Sequence, residues 1–267
     1  MGENKATDLL IACAHECDGI TEKLVQKLSK RDYPNGVENI AADYERIKKD
    51  GFNYITMLDD KFPEFLKKQA FYPPVVLFYA GNLELLADTR KKMAVIPGRH
   101  HYALENMDAL LEGGHDMDTI FVLSCVSTKD TLAIQRLLEW NRNTPLIIAV
   151  PDSLTVAFRN SILSEVIKRG GLVVTISPTL RDIPASTETC ILKNRLLAQI
   201  ADSVLIISST RRDTTNMLVS YALTMAKDIL VVPHDIADDD GNNALIYEGA
   251  VPIYSHEQLI EYLKGGR

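Results

Sequence analysis

Residues 6–49 carry apolar side chains three or four positions apart, which is the spacing of amphipathic helices. The pattern is interrupted by Asp-Gly at 18–19, by Pro-Asn-Gly at 34–36 and by Asp-Gly at 50–51. Residues of these types form the turns that end helices. Three short helices are therefore predicted, and together they form a small helical unit at the N-terminus.

After residue 52 the apolar residues gather into short continuous runs instead. Two runs, at 54–58 and 75–82, flank a turn and a predicted short helix at 64–69. Seven more runs alternate with helical stretches, at 93–96, 119–123, 146–150, 172–176, 203–207, 229–232 and 250–253. Continuous apolarity indicates strands buried on both faces, as in a parallel sheet covered by helices. We predict an α/β fold, with a Rossmann-like, doubly wound, mainly parallel sheet behind a small N-terminal helical domain.

Composition and charge narrow the classes of function. Apolar residues make up 46% of the chain and charged residues 24%. No run approaches the roughly 18 apolar residues of a membrane span, and the start, MGENKATDLL, lacks the order of a secretory signal. We expect a cytoplasmic protein with no membrane contact. The net charge of −7 means that a polyanionic partner has to be bound by a local pocket, because long-range attraction is unfavourable.

The cysteines and histidines form no recognisable catalytic or metal motif. Cys13 and Cys17 lie four apart on a predicted helix, but no second close pair of Cys or His completes a tetrahedral metal site. Buried free thiols are therefore expected. There is no HExxH, no GxSxG and no carboxylate spacing that requires an acid–base pair. We expect a binding protein, not an enzyme, with no cofactor and no metal.

Basic and hydroxyl residues follow several of the predicted strands. In a doubly wound sheet the ligand lies beyond the carboxyl ends of the strands, where helix N-termini present N–H groups to anions. Gly98 and Arg99 follow the first core strand; the glycine permits close backbone approach and the guanidinium suits phosphate. The alternative is that Arg99 pairs with a nearby carboxylate. The segment is neither GxGxxG nor a P-loop, which argues against dinucleotide binding or ATP hydrolysis.

Two further loops belong to the same predicted edge. In the loop at 124–130, Ser127 or Thr128 is expected to cap the next helix, and Lys129 is the candidate for an anion pocket. The polar loop at 208–216 contains Arg211 and Arg212. The ends of parallel strands lie on one edge of a sheet, so we expect these loops to converge.

The segment ILKNRLLAQIADSVLII, at residues 191–207, begins with two cations. A cation in the first turn of a helix opposes the helix dipole by about 0.3–1 kcal/mol. With Lys193 and Arg195 in such a turn, we expect an anion, or a carboxylate from elsewhere in the fold, between them. Asn194 is able to cap the helix or to hydrogen-bond a base or ribose. The predicted anion-binding residues are Gly98, Arg99, Lys129, Lys193, Asn194, Arg195, Arg211 and Arg212.

Three motifs resemble those of the DNA-processing protein A family, known as DprA or Smf. They are MLDDKFPEFLKKQAFYPPVVLFYAGNLELL at residues 57–86, CILKNRLLAQIADSVLIISS at 190–209 and PHDIADDDGNNALIYEGA at 233–250. The first resembles the family's lead-in, the second its RNR segment and the third its closing motif. They occur in the family's order and extend the resemblance over nearly all of the chain beyond residue 54.

The resemblance implies a cytoplasmic bacterial protein that binds single-stranded DNA in natural transformation and helps to load the RecA recombinase. It implies that Arg99 is the arginine of the family's GSR loop. Asn194 and Arg195 are then the last two residues of its RNR motif, and Lys193 replaces the first. It further implies a homodimer. We divide the chain into an N-terminal helical (SAM-like) domain, residues 1–52, and a Rossmann-like core, residues 53–267.

Two glycine-rich loops of the family are altered in this chain. Its SGxAxGID reads SCVSTKDT at 124–131, and its SGSL reads DTTN at 213–216. Added side chains narrow or reshape a phosphate pocket. Two alternatives to DNA binding therefore stay open. One is a divergent paralogue whose pocket binds a nucleotide or another small phosphate ligand, and the other is a scaffold that has kept the fold without the ligand.

Overall fold

Strands and helices alternate along most of the chain. The computed structural model describes residues 3–68, 73–98, 100–112, 117–140, 145–211, 214–235 and 241–265. Nine strands in these ranges are β1 Phe52–Thr56, β2 Val76–Gly81, β3 Lys91–Ile96, β4 Thr119–Ser124, β5 Ile147–Ala149, β6 Leu172–Thr175, β7 Ser203–Ile206, β8 Asp228–Val231 and β9 Val251–Pro252. Each predicted apolar run overlaps one of these strands, and the bounds differ by two residues or fewer.

Twelve α-helices accompany the strands within the same ranges. They are α1 Glu3–Glu16, α2 Thr21–Ser29, α3 Val37–Ile47, α4 Glu64–Lys67, α5 Ala103–Leu111, α6 Thr128–Trp140, α7 Leu154–Ala157, α8 Ile162–Lys168, α9 Thr187–Ile200, α10 Thr215–Thr224, α11 Gly241–Tyr247 and α12 His256–Leu263. Short 3-10 turns at Lys48–Asp50 and Leu83–Leu86 complete the described elements. The prediction of three short N-terminal helices is confirmed.

The turn between α1 and α2 shows why glycine ends the first helix. Gly19 has a φ of +75°, in the left-handed region, and an added Cβ would lie 1.8 Å from the carbonyl oxygen of Ile176. A side chain at this position would therefore collide with the backbone that follows β6. Both the left-handed turn and the close packing of the helical unit on the sheet therefore require glycine at position 19.

The strands form one sheet in the order β1-β2-β6-β5-β4-β3-β7-β8-β9. β2 pairs antiparallel with both β1 and β6, and the remaining pairs are parallel. The chain moves outward from β3 through β4, β5 and β6, and then returns to form β7 beside β3. This reversal places the topological switch point, where such folds bind ligands, between β3 and β7. The predicted doubly wound, mainly parallel sheet is confirmed.

Two apolar cores cover the two faces of the sheet. One includes Met107 of α5 and Ile134 of α6, and the other includes Leu196 of α9 and Leu218 of α10. Successive strand residues alternate between the cores; Phe121, for example, belongs to the first, and its neighbours on β4 belong to the second. Burial on both faces explains the continuous apolar runs of the sequence.

The N-terminal helices pack into the first of these cores. Ile11 of α1 and Tyr44 of α3 are fully buried and belong to the same cluster as Phe78 of β2. The rings of Tyr44 and Phe78 have centroids 5.4 Å apart. The helical unit therefore shares apolar surface with the sheet, while the domain division between residues 52 and 53 stays a prediction.

The cysteines in the structure are free thiols. Cys13, Cys17 and Cys125 are buried and Cys190 is partly exposed. Burial raises the pKa of Cys13 and that of Cys125 to about 11, which keeps both thiols protonated and unreactive near neutral pH. Within the described ranges, no group of three or more His, Cys, Asp or Glu side chains is placed to hold a metal ion. A helix of the length and apolarity needed to cross a bilayer is likewise absent from these ranges.

Candidate functional site

A cavity of about 250 Å³ opens at the carboxyl edge of the sheet, next to the switch point. We call it the switch-point cavity. The ends of β3 and β4 and the starts of α6 and α10 form its walls, together with one side of α9. The described residues that line it are Ile96, Gly98, Ser124, Val126, Ser127, Asp130, Thr187, Cys190, Lys193, Asn194, Thr214, Thr215 and Leu218.

Gly98 joins two of the loops that surround the cavity. Its φ is +79°, and a Cβ at this position would lie 1.9 Å from the carbonyl oxygen of Ser208. The loops after β3 and β7 are therefore in backbone contact at the switch point. Glycine is required here for that contact, and a side chain would push the two loops apart.

The helix with Lys193 and Arg195 begins earlier than the sequence analysis predicts. Ser186 Oγ accepts from the N–H of Thr189 at 3.2 Å, and Thr189 Oγ1 accepts from the N–H of Ser186 at 2.9 Å. This reciprocal capping box starts α9 at Thr187, with Glu188 in the first turn. Both cations are consequently in the middle of the helix, and the prediction that they occupy its first turn is wrong.

Lys193 and Asn194 lie on the side of α9 that faces the cavity. Their exposed fractions are 8% and 3%. The Asn194 side-chain amide donates to the carbonyl oxygen of Thr214 at 3.0 Å, which ties α9 to the start of α10. Lys193 supplies the positive charge among the described lining residues. A buried ammonium favours an anionic or strongly polar neighbour, since burial without one is costly.

Arg195 faces the helical unit and is not among the lining residues of the cavity. Its Nη1 lies 2.5 Å from Oε1 of Glu22 on α2, and 8% of its side chain is exposed. Burial alone would raise the pKa of the Glu22 carboxyl, but the hydrogen bond from Arg195 and a backbone hydrogen bond outweigh it, so that pKa lies below its usual value. Glu22 is therefore a carboxylate from elsewhere in the fold, as the sequence suggested, but it pairs with Arg195 and is not shown between Lys193 and Arg195.

The other predicted site residues lie in different surroundings. The Lys129 ammonium donates to the carbonyl oxygen of His100 and so links α6 to the loop after β3. Arg211 lines a separate cavity of about 720 Å³ between α10 and α11. Arg99 and Arg212 lie outside the described residues. Of the eight predicted residues, the structure brings Gly98, Lys193 and Asn194 together in the switch-point cavity.

Asp130 is a lining residue to which the sequence analysis gives no role. Its Oδ2 accepts from the backbone N–H groups of Val126 at 2.9 Å and Ser127 at 3.0 Å, and from the Ser124 hydroxyl at 3.4 Å. In return, Ser127 Oγ accepts from the N–H of Asp130 at 3.2 Å. Ser127 thus caps α6, as predicted. The Ser-x-x-Asp spacing of a capping box was the signal for Asp130.

The lining of the cavity combines two opposite charges with several hydroxyl groups. Lys193 and Asp130 contribute opposite charges, and hydroxyl groups come from residues such as Ser124, Thr187 and Thr214. Burial raises the pKa of the Cys190 thiol, which disfavours the nucleophilic thiolate. Among the described lining residues there is no histidine to act as a general base.

Aromatic side chains gather around the loop after β3. The rings of His100 and Tyr102 stack with centroids 5.3 Å apart, and His234 packs edge-on against both at 5.4 and 5.5 Å. His101 is exposed and packs against Tyr102 at 5.0 Å. We call these four residues the aromatic cluster. The cluster could not be identified from the sequence, because His234 follows a different strand from the other three residues.

Comparison with known proteins agrees with this architecture. The chain is 23% identical to the DNA processing protein DprA of Streptococcus pneumoniae over 268 residues, which covers 97% of this chain and 89% of that protein. The X-ray structure of the same relative aligns with a TM-score of 0.67 and 22% identity, over 84% of this chain and 80% of that one. This structural similarity shows a shared fold.

A second structure, of DNA processing protein A from Helicobacter pylori, aligns with a TM-score of 0.65 and 22% identity, over 79% of this chain and 95% of that chain. That protein is described as having a unique single-stranded DNA binding mode. The family model of DNA recombination-mediator protein A matches residues 53–264, which is well over half of the chain. The chain therefore belongs to the DNA recombination-mediator protein A family.

Proposed function

We propose that this protein binds single-stranded DNA and acts in DNA uptake during natural transformation and in RecA-dependent recombination. The observation that carries the proposal is the switch-point cavity, in which Lys193 and Asn194 of the family's RNR segment line the carboxyl edge of the sheet. Family membership and the single-stranded DNA binding described for the Helicobacter pylori relative support DNA over a small nucleotide or an empty scaffold. The proposed activity is binding, without catalysis.

We assign the phosphate contacts to the side chains at this edge. Lys193 pairs with a backbone phosphate, and Asn194 and Gly98 shape the cavity around it. In the sequence, Arg99 comes after β3 and Arg212 after β7, and we propose both as further phosphate contacts. The exposed part of the aromatic cluster gives bases a surface on which to stack, the usual companion of phosphate binding in single-strand recognition.

The remaining predicted residues take supporting roles in the proposal. Lys129 holds the loop after β3 against α6, and Arg195 holds α9 against the helical unit. Both are positioning residues. Arg211 lines the cavity between α10 and α11 and is proposed as a peripheral contact along the DNA strand. The cytoplasmic location implied by the family resemblance stays a prediction.

Fluorescence anisotropy with labelled oligo-dT and a matched duplex tests the proposed function. We expect the single strand to bind more tightly than the duplex, with an affinity that falls as salt rises because a few phosphates are neutralised. An affinity for oligo-dT that does not respond to salt, or none at low salt, would contradict the proposal. An assay of RecA filament formation on the same strand, with and without this protein, tests the recombination role.

We also propose that the protein forms a homodimer through the surface around α10 and α11. Leu223, Tyr247 and Tyr254 have exposed fractions of 60%, 94% and 71%, and the first two line the cavity of about 720 Å³. Large exposed apolar side chains that adjoin a groove are typical of association surfaces. Light scattering should give a dimer for the wild type and a monomer for Tyr247→Asp, with Tyr33→Asp as a distant control.

A further inference from the structure

The anion-binding groups of the loop between β4 and α6 are already occupied by a side chain of the chain itself. A helix N-terminus attracts phosphate because its first N–H groups lack partners and point outward. Here the N–H groups of Val126 and Ser127, the two residues just before α6, donate to one oxygen of Asp130, at 2.9 and 3.0 Å. The Ser124 hydroxyl donates to the same oxygen at 3.4 Å.

Asp130 also places a negative charge in the wall of the cavity that holds Lys193. Both residues line the same space of about 250 Å³. The carboxylate accepts from two backbone N–H groups and a hydroxyl, and these hydrogen bonds hold it in the wall. An incoming phosphate meets both the positive charge of Lys193 and the repulsion of this carboxylate.

We propose that Asp130 is an internal competitor of phosphate, which keeps the affinity of the switch-point cavity for anions low. Its carboxylate holds the donors that a phosphate oxygen would use and offsets the charge of Lys193. DNA then binds mainly through contacts outside this loop, and it dissociates readily. The identity of DNA as the natural ligand rests on the proposed function, whereas the competition with phosphate does not.

An ordinary helix cap is the alternative explanation of Asp130, and the two make different predictions. A cap stabilises α6 and has no effect on the ligand. Asparagine at this position retains an oxygen that accepts from the two N–H groups and removes the charge. A purely structural role therefore predicts unchanged binding by Asp130→Asn, while the competitor role predicts tighter binding.

The test is the affinity of the full-length protein for fluorescein-labelled oligo-dT at low salt. Asp130→Asn should bind about tenfold more tightly than the wild type, the effect of one nearby charge at an intermediate effective dielectric. The matched control is Asp43→Asn, which makes the same change in net charge at an exposed site of α3. Its affinity should stay within about twofold of the wild type because surface charges at a distance are screened.

The competitor role is overturned if folded Asp130→Asn binds oligo-dT no more tightly than Asp43→Asn does. Should Asp130→Asn fail to fold, as judged by its thermal transition, Asp130→Ser provides a second neutral cap and the same prediction applies.

A thermal-shift titration with inorganic phosphate separates this inference from the proposed function. If neither protein binds oligo-dT, but phosphate raises the melting temperature of Asp130→Asn more than that of the wild type, the competitor role holds and the DNA function fails. If the wild type binds oligo-dT and Asp130→Asn gains nothing in either assay, only the competitor role fails. If neither protein binds oligo-dT and phosphate stabilises the two equally, both fail.

Discussion

The two sides of α9 face different parts of the molecule. One side presents Lys193 and Asn194 to the switch-point cavity, and the other presents Arg195 to Glu22 in the N-terminal helical unit. Lys193 and Arg195 are two residues apart, yet one lines a cavity and the other pairs with a carboxylate of the helical unit. In a helix, neighbours in a short basic motif point in different directions, so the motif alone does not define a common site.

The largest effect is expected in the wall of the switch-point cavity, where Gly98 lies against Ser208. Gly98→Ala should lower the free energy of unfolding by about 3 kcal/mol, because the Cβ collides with a carbonyl oxygen and the φ of +79° is unfavourable for alanine. Urea denaturation measures the loss. Gly170→Ala is the control, since its φ is +76° but nothing lies within 4 Å of the added Cβ. Equal losses in the two variants would contradict the proposed loop contact.

The next largest effect concerns the fold side of α9. Arg195→Met should lower the free energy of unfolding by about 2 kcal/mol, because it leaves the partly buried Glu22 carboxylate without its cation. The salt dependence of oligo-dT binding should not change, since Arg195 is assigned no phosphate. Arg46→Met, at an exposed ion pair with Asp43, should cost less than about 0.5 kcal/mol. A reduced salt slope in Arg195→Met would place this residue at the DNA after all.

On the side of α9 that faces the cavity, a substitution should affect DNA binding. Lys193→Ala should weaken oligo-dT binding about fivefold and reduce the slope of log affinity against log salt by about 0.7, the loss of one phosphate contact. Thermal unfolding checks that the variant is folded before the slopes are compared. Lys168→Ala, on the exposed end of α8, is the control and should leave the slope unchanged. An unaltered slope in Lys193→Ala would remove Lys193 from the phosphate site.

The smallest effect is a pH dependence of the link between α9 and the helical unit. The pKa of Glu22 is lowered in the folded protein from its ordinary value of 4.5, so the stability it contributes is complete above that value. The contribution is lost as the pH falls below 4.5 and through the folded pKa. Urea denaturation at pH 6 and pH 3.5 should show a larger acid loss for the wild type than for Glu22→Gln. Equal losses of stability in the wild type and in Glu22→Gln would contradict the pairing of Glu22 with Arg195.

The sheet could be predicted from the sequence because its strands are buried on both faces. Runs such as residues 119–123 and 172–176 consist mainly of apolar residues, and turn or helical patterns separate them. The strands and the fold class therefore follow from the local sequence pattern. The bounds are accurate because Asp-Gly and Pro-containing turns interrupt the pattern. The antiparallel edge made by β1 and β2 does not follow from such runs, since the pairing direction is set by the path of the chain.

The candidate site was only partly predictable, for two different reasons. The start of α9 could have been read from the Ser-x-x-Thr spacing of Ser186 and Thr189, which lies before the apolar part of the helix. The pairing of Arg195 with Glu22 could not, because 173 positions separate them and only the packed fold brings them together. The local sequence pattern thus predicts which loops lie at the same edge of the sheet. The direction of each side chain depends on tertiary packing.

The shared core of the N-terminal helices sets a condition for exchanging them between relatives. Ile11 and Tyr44 are buried in the same cluster as Phe78, and Glu22 on the same unit neutralises Arg195. A chimera that carries another protein's helices would have to match the sheet in shape and α9 in charge at once. Residues 44 and 22 are therefore the two positions at which a graft should first be made compatible, before any loop of the cavity is redesigned.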